Sequence, residues 1–180
     1  MHRVPLLDLL YDYTAADHTE SDHHERFIRF VCDYPDCFER NLAIGHITGS
    51  AWITAPDQTQ VLLLHHRKLD RWLQPGGHAD GDPDVRRVAF REATEETGLL
   101  VTLARDGIFD LDIHEIPDNT RDAAHLHYDM RFHFTADPAQ PLVVNSESKA
   151  LVWVPMERVS KYTSEESVRR MVGKSYGFTR

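Results

Sequence analysis

With 180 residues, 41% of them apolar and 9% aromatic, the chain can bury one sizeable core and reads as a single globular domain. Its formal charge of −9 argues against a partner as large as a nucleic-acid backbone, which needs a basic stripe. No run approaches the roughly 18 apolar residues of a membrane span, and Met1 to Pro5 lead into alternating Leu and Asp without a signal-peptide core, so no membrane partner and a cytoplasmic location are expected.

In chain order, Leu6, Leu7, Leu9, Leu10 and Tyr13 recur at helical spacing and predict a first helix over Val4 to Tyr13, with Pro5 in its first turn. A second amphipathic helix is expected from near Ser21, carrying Phe27, Ile28, Phe30 and Val31 and stopping before Pro35. Together they form a helical extension over residues 1–40. It has three candidate roles: packing on the core, packing on the mate of a homodimer, or serving as a lid or specificity element. Cys32 and Cys37 form a C-x4-C pair with no second pair to complete a zinc set, and reduced thiols are expected.

Residues 44–55 read as a strand, followed by a turn at Pro56-Asp57 and a second strand over Gln60 to His66, which makes a hairpin. Arg67-Lys68-Leu69-Asp70-Arg71 is the densest basic stretch. It is either an exposed loop or, with His78 just downstream, a place to meet substrate phosphate, so Arg67, Lys68 and His78 are candidate substrate contacts.

Next comes the stretch with the strongest chemical signal, Gly76 to Leu99. Asp82 as N-cap, Pro83 at the first helical position and Gly98 past the end predict a helix over about Pro83 to Thr97. Glu92, Glu95 and Glu96, at i, i+3 and i+4, fall within about 100° of arc on one side. Like charges at this spacing repel by a few tenths of a kcal/mol per pair, and near a helix C-terminus the dipole also disfavours them. A hard dication such as Mg²⁺ or Mn²⁺ would convert that repulsion into coordination. A merely solvated acidic face beside Arg91 is the alternative.

Beyond the helix, Val101 to Ala104 and Gly107 to Ile116 read as strands, the second alternating Phe109, Leu111 and Ile113 with Asp110, Asp112 and His114. Pro117 to Thr120 marks a loop. From His125 to Phe134 the alternation is clearest, with Leu126, Tyr128, Met130, Phe132 and Phe134 on a buried face and His125, His127, Asp129, Arg131 and His133 on a wet one. That face is either solvent-facing or lines a cleft in which His125 and His127 touch substrate or a second metal. A turn at Pro138 to Pro141 leads to Asn145-Ser146-Glu147-Ser148, a strand over Leu151 to Val154, and a short capped helix over Ser164 to Val172.

The central stretch resembles the Nudix box, G-x5-E-x7-R-E-U-x-E-E-x-G-U, where U is aliphatic. Gly77, Arg91, Glu92, Ala93, Glu95, Glu96, Gly98 and Leu99 occupy its positions, and Pro83 replaces its first Glu between Asp82 and Asp84. The resemblance covers about residues 42–172. It implies an α/β fold, a Nudix-type α/β/α sandwich with a mixed sheet, here with the N-terminal helical extension. It also implies Mg²⁺- or Mn²⁺-dependent hydrolysis of a diphosphate linkage in a small molecule, typically a nucleoside diphosphate derivative. On this reading Glu92, Glu96, Glu95 and a backbone carbonyl at Gly77 hold the ion, a cluster carboxylate or Glu147 takes the water's proton, and Arg91 orients a glutamate. A catalytically inactive binding or regulatory module on the same fold is the alternative, and Pro83 is the residue that favours it.

Overall fold

The central strand of the sheet, β1 (Gly45–Thr54), is buried at all ten positions, which is why its sequence does not alternate cleanly. In this computed structural model, which describes residues 2–118 and 123–177, β1 runs parallel to β7 (His125–Thr135), paired from Gly45 with Leu126 to Thr54 with Thr135. Antiparallel strands extend the sheet on both sides. On the β1 side these are β2 (Gln60–His66), β3 (Arg71–Leu73), β4 (Gly76–His78) and β8 (Ser148–Pro155). On the β7 side they are β5 (Thr102–Leu103) and β6 (Asp110–Ile116). The result is a mixed, curled sheet between helices, the α/β sandwich that the sequence implies.

One layer holds α1 (Val4–Tyr11), α2 (His18–Asp33) and α3 (Val85–Thr97), packed on Ile47, Ala51, Ile53, Met130, Phe132 and Phe134. The first helix stops two residues short of Tyr13. The second starts earlier than Ser21, because Asp17 caps it by accepting from the Glu20 N–H at 2.8 Å. Both helices share the core of the sheet. Leu6, Leu10, Phe27 and Val31 are fully buried, and Phe30 stacks on Tyr128 with ring centroids 3.8 Å apart. Cys37 is buried, Cys32 is exposed, and both are free thiols.

The other layer holds a 3-10 helix (Met156–Lys161) and α4 (Glu166–Gly177), packed on Trp52 and Phe109. The start of α4 falls two residues after Ser164, and it runs past Val172. No helix among the described residues is long and apolar enough to cross a membrane. Of the loop expected after Pro117, Asn119 and Thr120 lie outside the described residues.

The expected wet face of β7 is not wet. Asp129, Arg131 and His133 are 2%, 2% and 3% exposed. The reason is charge supplied from elsewhere: α4 lies over this face with Arg170 and Lys174, and β6 brings Asp110 and Asp112 opposite Arg131 and Asp129. The Arg131 guanidinium donates to Asp129 at 2.7 Å, Asp110 at 3.0 Å and Asp112 at 3.2 Å. Arg170 donates to Asp110 and Asp112 as well. Lys174 reaches Asp110 at 2.7 Å and, from the opposite side, Glu20 and Tyr13 of the N-terminal segment. Burial alone would raise the Asp110 and Asp112 carboxyls, but the surrounding cations outweigh it and hold both below the usual range.

Candidate active site

The helix that carries the acidic cluster begins later than expected. Asp84, not Asp82, is the N-cap, accepting from the Arg87 N–H at 3.0 Å, and the helix starts at Val85. Either aspartate fits the local pattern, but Asp82 is engaged otherwise, taking both Nε and Nη2 of Arg87 in a bidentate pair. Pro83 therefore lies in the loop ahead of the helix. At the other end Gly98 adopts φ +74°, the left-handed cap for which glycine is suited.

The three box glutamates have distinct environments. Glu96 is 4% exposed and accepts the Gly76 N–H at 2.9 Å, a contact that draws β4 onto the end of α3. Burial, with the charges of Glu92, Glu147 and Glu95 added, pushes its pKa up to about 7. Glu92 is half-buried and also shifted upward, by burial first and by Glu95 and Glu147. Its carboxylate lies against Gly77 so closely that a Cβ there would stand 2.6 Å from Glu92 Cδ. Glycine at this position lets a bare backbone approach the carboxylate. Glu95 is exposed at the rim. Arg91 donates to Glu92 Oε1 at 3.0 Å and to the His78 carbonyl at 3.2 Å, tying the helix to β4.

Glu147 comes to this cluster from a loop far along the chain, near enough for its charge to raise both Glu92 and Glu96. The loop is held by Arg67, whose Nε donates to the Ser146 carbonyl at 3.0 Å and whose Nη2 donates to that of Ser148 at 2.7 Å. Arg67 is thus engaged with backbone, while Lys68 is exposed on the same turn. Two clefts of about 580 and 410 Å³ open elsewhere, where α1 meets the start of α3 around Leu9, Asp12 and Arg86, and neither is lined by a box glutamate.

His78, His125 and His127 do not join the carboxylates. The register of β4 and β7 against β1 turns their side chains to the face of the sheet opposite α3, where they gather with His46 and His114. Ring centroids are 4.8 Å apart for His46 and His127, 4.9 Å for His46 and His125, and 5.0 Å for His46 and His78. Burial and the neighbouring imidazoles press the pKa of His46 down to about 4 and that of His127 to about 2, so both rings are neutral. Sequence reasoning missed His46 and His114. Both stand opposite His127, His46 on β1 and His114 on β6, and it takes the register of both strands against β7 to see this.

Comparison with known proteins bears on this arrangement. No curated protein matches the chain in sequence. Among solved structures it resembles a NUDIX-family hydrolase from Clostridium perfringens at 24% identity, covering 74% of this chain and 97% of that one, with a TM-score of 0.55. It also resembles an Ap4A hydrolase from C. elegans, at 16% identity, 74% and 96% coverage and a TM-score of 0.53. A third, the dihydroneopterin triphosphate pyrophosphohydrolase of E. coli, gives 18%, 70% and 91%, and 0.51. These likenesses show the fold. The family model described as NUDIX domain matches residues 46–173, which takes in most of β1, the glycine turn, the acidic helix and the first part of α4, and the chain therefore belongs to the Nudix family.

Proposed function

We propose that the protein is a divalent-metal-dependent hydrolase of a diphosphate linkage in a small molecule, with nucleoside diphosphate derivatives as the substrate class. The observation that carries this reading is Glu96, a buried carboxylate that among the described residues has no cationic hydrogen-bond partner and is pressed by Glu92, Glu95 and Glu147. The donor set is all oxygen, as Mg²⁺ and Mn²⁺ prefer, and the Cβ-free Gly77 leaves its backbone against Glu92. Glu92 and Glu96, with Glu95 and the Gly77 carbonyl, would hold the ion. A bound dication supplies charge neutralisation for diphosphate oxygens and acidifies a coordinated water.

The chain's own residues do the rest. Arg91 fixes the Glu92 carboxylate by its 3.0 Å hydrogen bond. Glu147, exposed on a loop clamped by Arg67, is suited to accept a proton as general base. Lys68, on the adjacent turn, is the cation available to substrate phosphate. The similar folds of an Ap4A hydrolase and a dihydroneopterin triphosphate pyrophosphohydrolase support the choice of substrate class.

The test is release of phosphate or a mononucleotide from a panel of nucleoside diphosphate derivatives, with Mg²⁺ or Mn²⁺ and with chelator. Turnover that needs the ion and disappears in Glu96→Gln is expected. Nucleotide binding without metal-dependent release from any panel member would replace this reading with a binding or regulatory module, which Pro83 in the loop ahead of the helix favours.

A further inference from the structure

The histidines on the opposite face carry an inference that does not depend on the hydrolase reading. His46 and His127 are direct cross-strand partners in the parallel β1 and β7 pair, so their side chains leave the same face, and His125 lies two residues along on that face. One ring nitrogen from each of the three lies within 4.8 Å of the other two.

Buried donors of this kind are normally hydrogen-bonded. Here His46, 2% exposed, has neither Nδ1 nor Nε2 satisfied, and His127 Nε2 is buried without a partner. His125 Nδ1 is within 2.7 Å of the Ala123 carbonyl, the pattern by which a metal-ligating imidazole fixes its tautomer and presents its other nitrogen. No carboxylate belongs to the three-residue set.

We propose that His46, His125 and His127 form a second metal site, for a nitrogen-preferring transition dication of the Zn²⁺ class and not for Mg²⁺. Metal to nitrogen distances of about 2.0–2.1 Å require tetrahedral donors roughly 3.3 Å apart, so the three nitrogens close inward on binding. His125 and His127 lie in the half-buried beginning of β7, ahead of the fully buried run that starts at Tyr128. Imidazole donors suit Zn²⁺, Co²⁺ and Ni²⁺, whereas the oxygen donors on α3 suit Mg²⁺ and Mn²⁺, so the two sites are separated by ligand chemistry as well as by the sheet. Three protein donors leave a fourth position open to water or to an anionic ligand.

The experiment uses the full chain stripped with chelator and then supplied with excess Mg²⁺ to fill oxygen sites. Co²⁺ is titrated in while its visible d–d absorption is recorded, and Zn²⁺ is used to displace it. A single equivalent with the intense bands of low-coordinate Co²⁺ is expected, weakened at least about tenfold in His125→Ala and in His127→Ala and unchanged in Glu96→Gln. Thermal unfolding of His125→Ala, the less buried of the two, confirms that the variant is folded. Absence of uptake by the wild-type chain, or uptake of equal strength in the histidine variants, overturns the site. Uptake lost in Glu96→Gln would also overturn it, by assigning the ion to the carboxylates. Because the readout is spectroscopic, it stands or falls apart from turnover.

Discussion

Replacing Glu96 by Gln should stabilise the metal-free protein while abolishing turnover. The carboxyl is 4% exposed and its pKa is raised from 4.5 to about 7. A carboxyl whose folded pKa lies above its unfolded one contributes favourably only below the unfolded value. That contribution is lost as pH rises through the folded value. At about pH 8 the two ionisation equilibria differ by roughly 2.5 units, which at 1.36 kcal/mol per unit makes the ionised Glu96 cost about 3 kcal/mol. At about pH 5 the same arithmetic leaves under about 1 kcal/mol. Gln keeps the volume and an oxygen to accept the Gly76 N–H, so this penalty disappears with little else changed. For a chain of this size the gain corresponds to about 6–12 °C in Tm. Calorimetry with chelator at both pH values measures it, and Mn²⁺ should then raise the wild-type Tm and not that of the variant. A Glu96→Gln protein less stable than wild type at about pH 8 without metal, or with equal stabilisation by Mn²⁺, would refute the reasoning.

Three other outcomes follow from contacts already described. Gly77→Ala puts a Cβ 2.6 Å from Glu92 Cδ and should lower turnover by at least about tenfold with a change in stability of about 1 kcal/mol, read by kinetics and urea denaturation together. Arg67→Ala releases the Ser146 and Ser148 carbonyls and should reduce kcat more than KM, because it loosens the loop that carries Glu147; an unchanged kcat would remove Glu147 from the reaction. Arg131→Met leaves Asp129 without its cation and should cost about 3–5 kcal/mol near neutral pH. That loss should shrink on acidification, since Arg131 is the main charge that offsets burial at Asp112 and without it this carboxyl takes up a proton more readily. Urea midpoints across pH are the measurement.

What the sequence could disclose was local. The box residues sit at fixed spacing along one helix, Gly98 caps it, and β7 alternates with period two, so each can be recognised from a short window. The start of the helix could not be settled that way, because Asp82 and Asp84 are both good caps and only the Arg87 pair decides between them. Alternation in β7 reveals that one face is polar, not that it is exposed. The cations that bury it, Arg170 and Lys174, lie about 40 residues further on and on another element. The gathering of His46 with His125 and His127 likewise needed a parallel register between strands about 80 residues apart. Glu147 was approachable only through the family resemblance, since its own neighbourhood reads as an ordinary polar loop.

The node at Lys174 has a consequence for synthesis. Glu20 on α2 and Asp110 on β6 emerge from the ribosome well before Arg170 and Lys174. Until α4 arrives, Glu20 of the nascent chain lacks Lys174, and Asp110, although already beside Arg131, lacks Arg170 and Lys174. Such a chain is left with water at the junction of its first helices and its sheet, so the final docking of those helices is coupled to the delivery of α4. A pause in translation between β8 and α4 would thus hold the protein in a hydrated, incompletely sealed state, and α4 acts as the timed closure of an interior begun by the earliest helices.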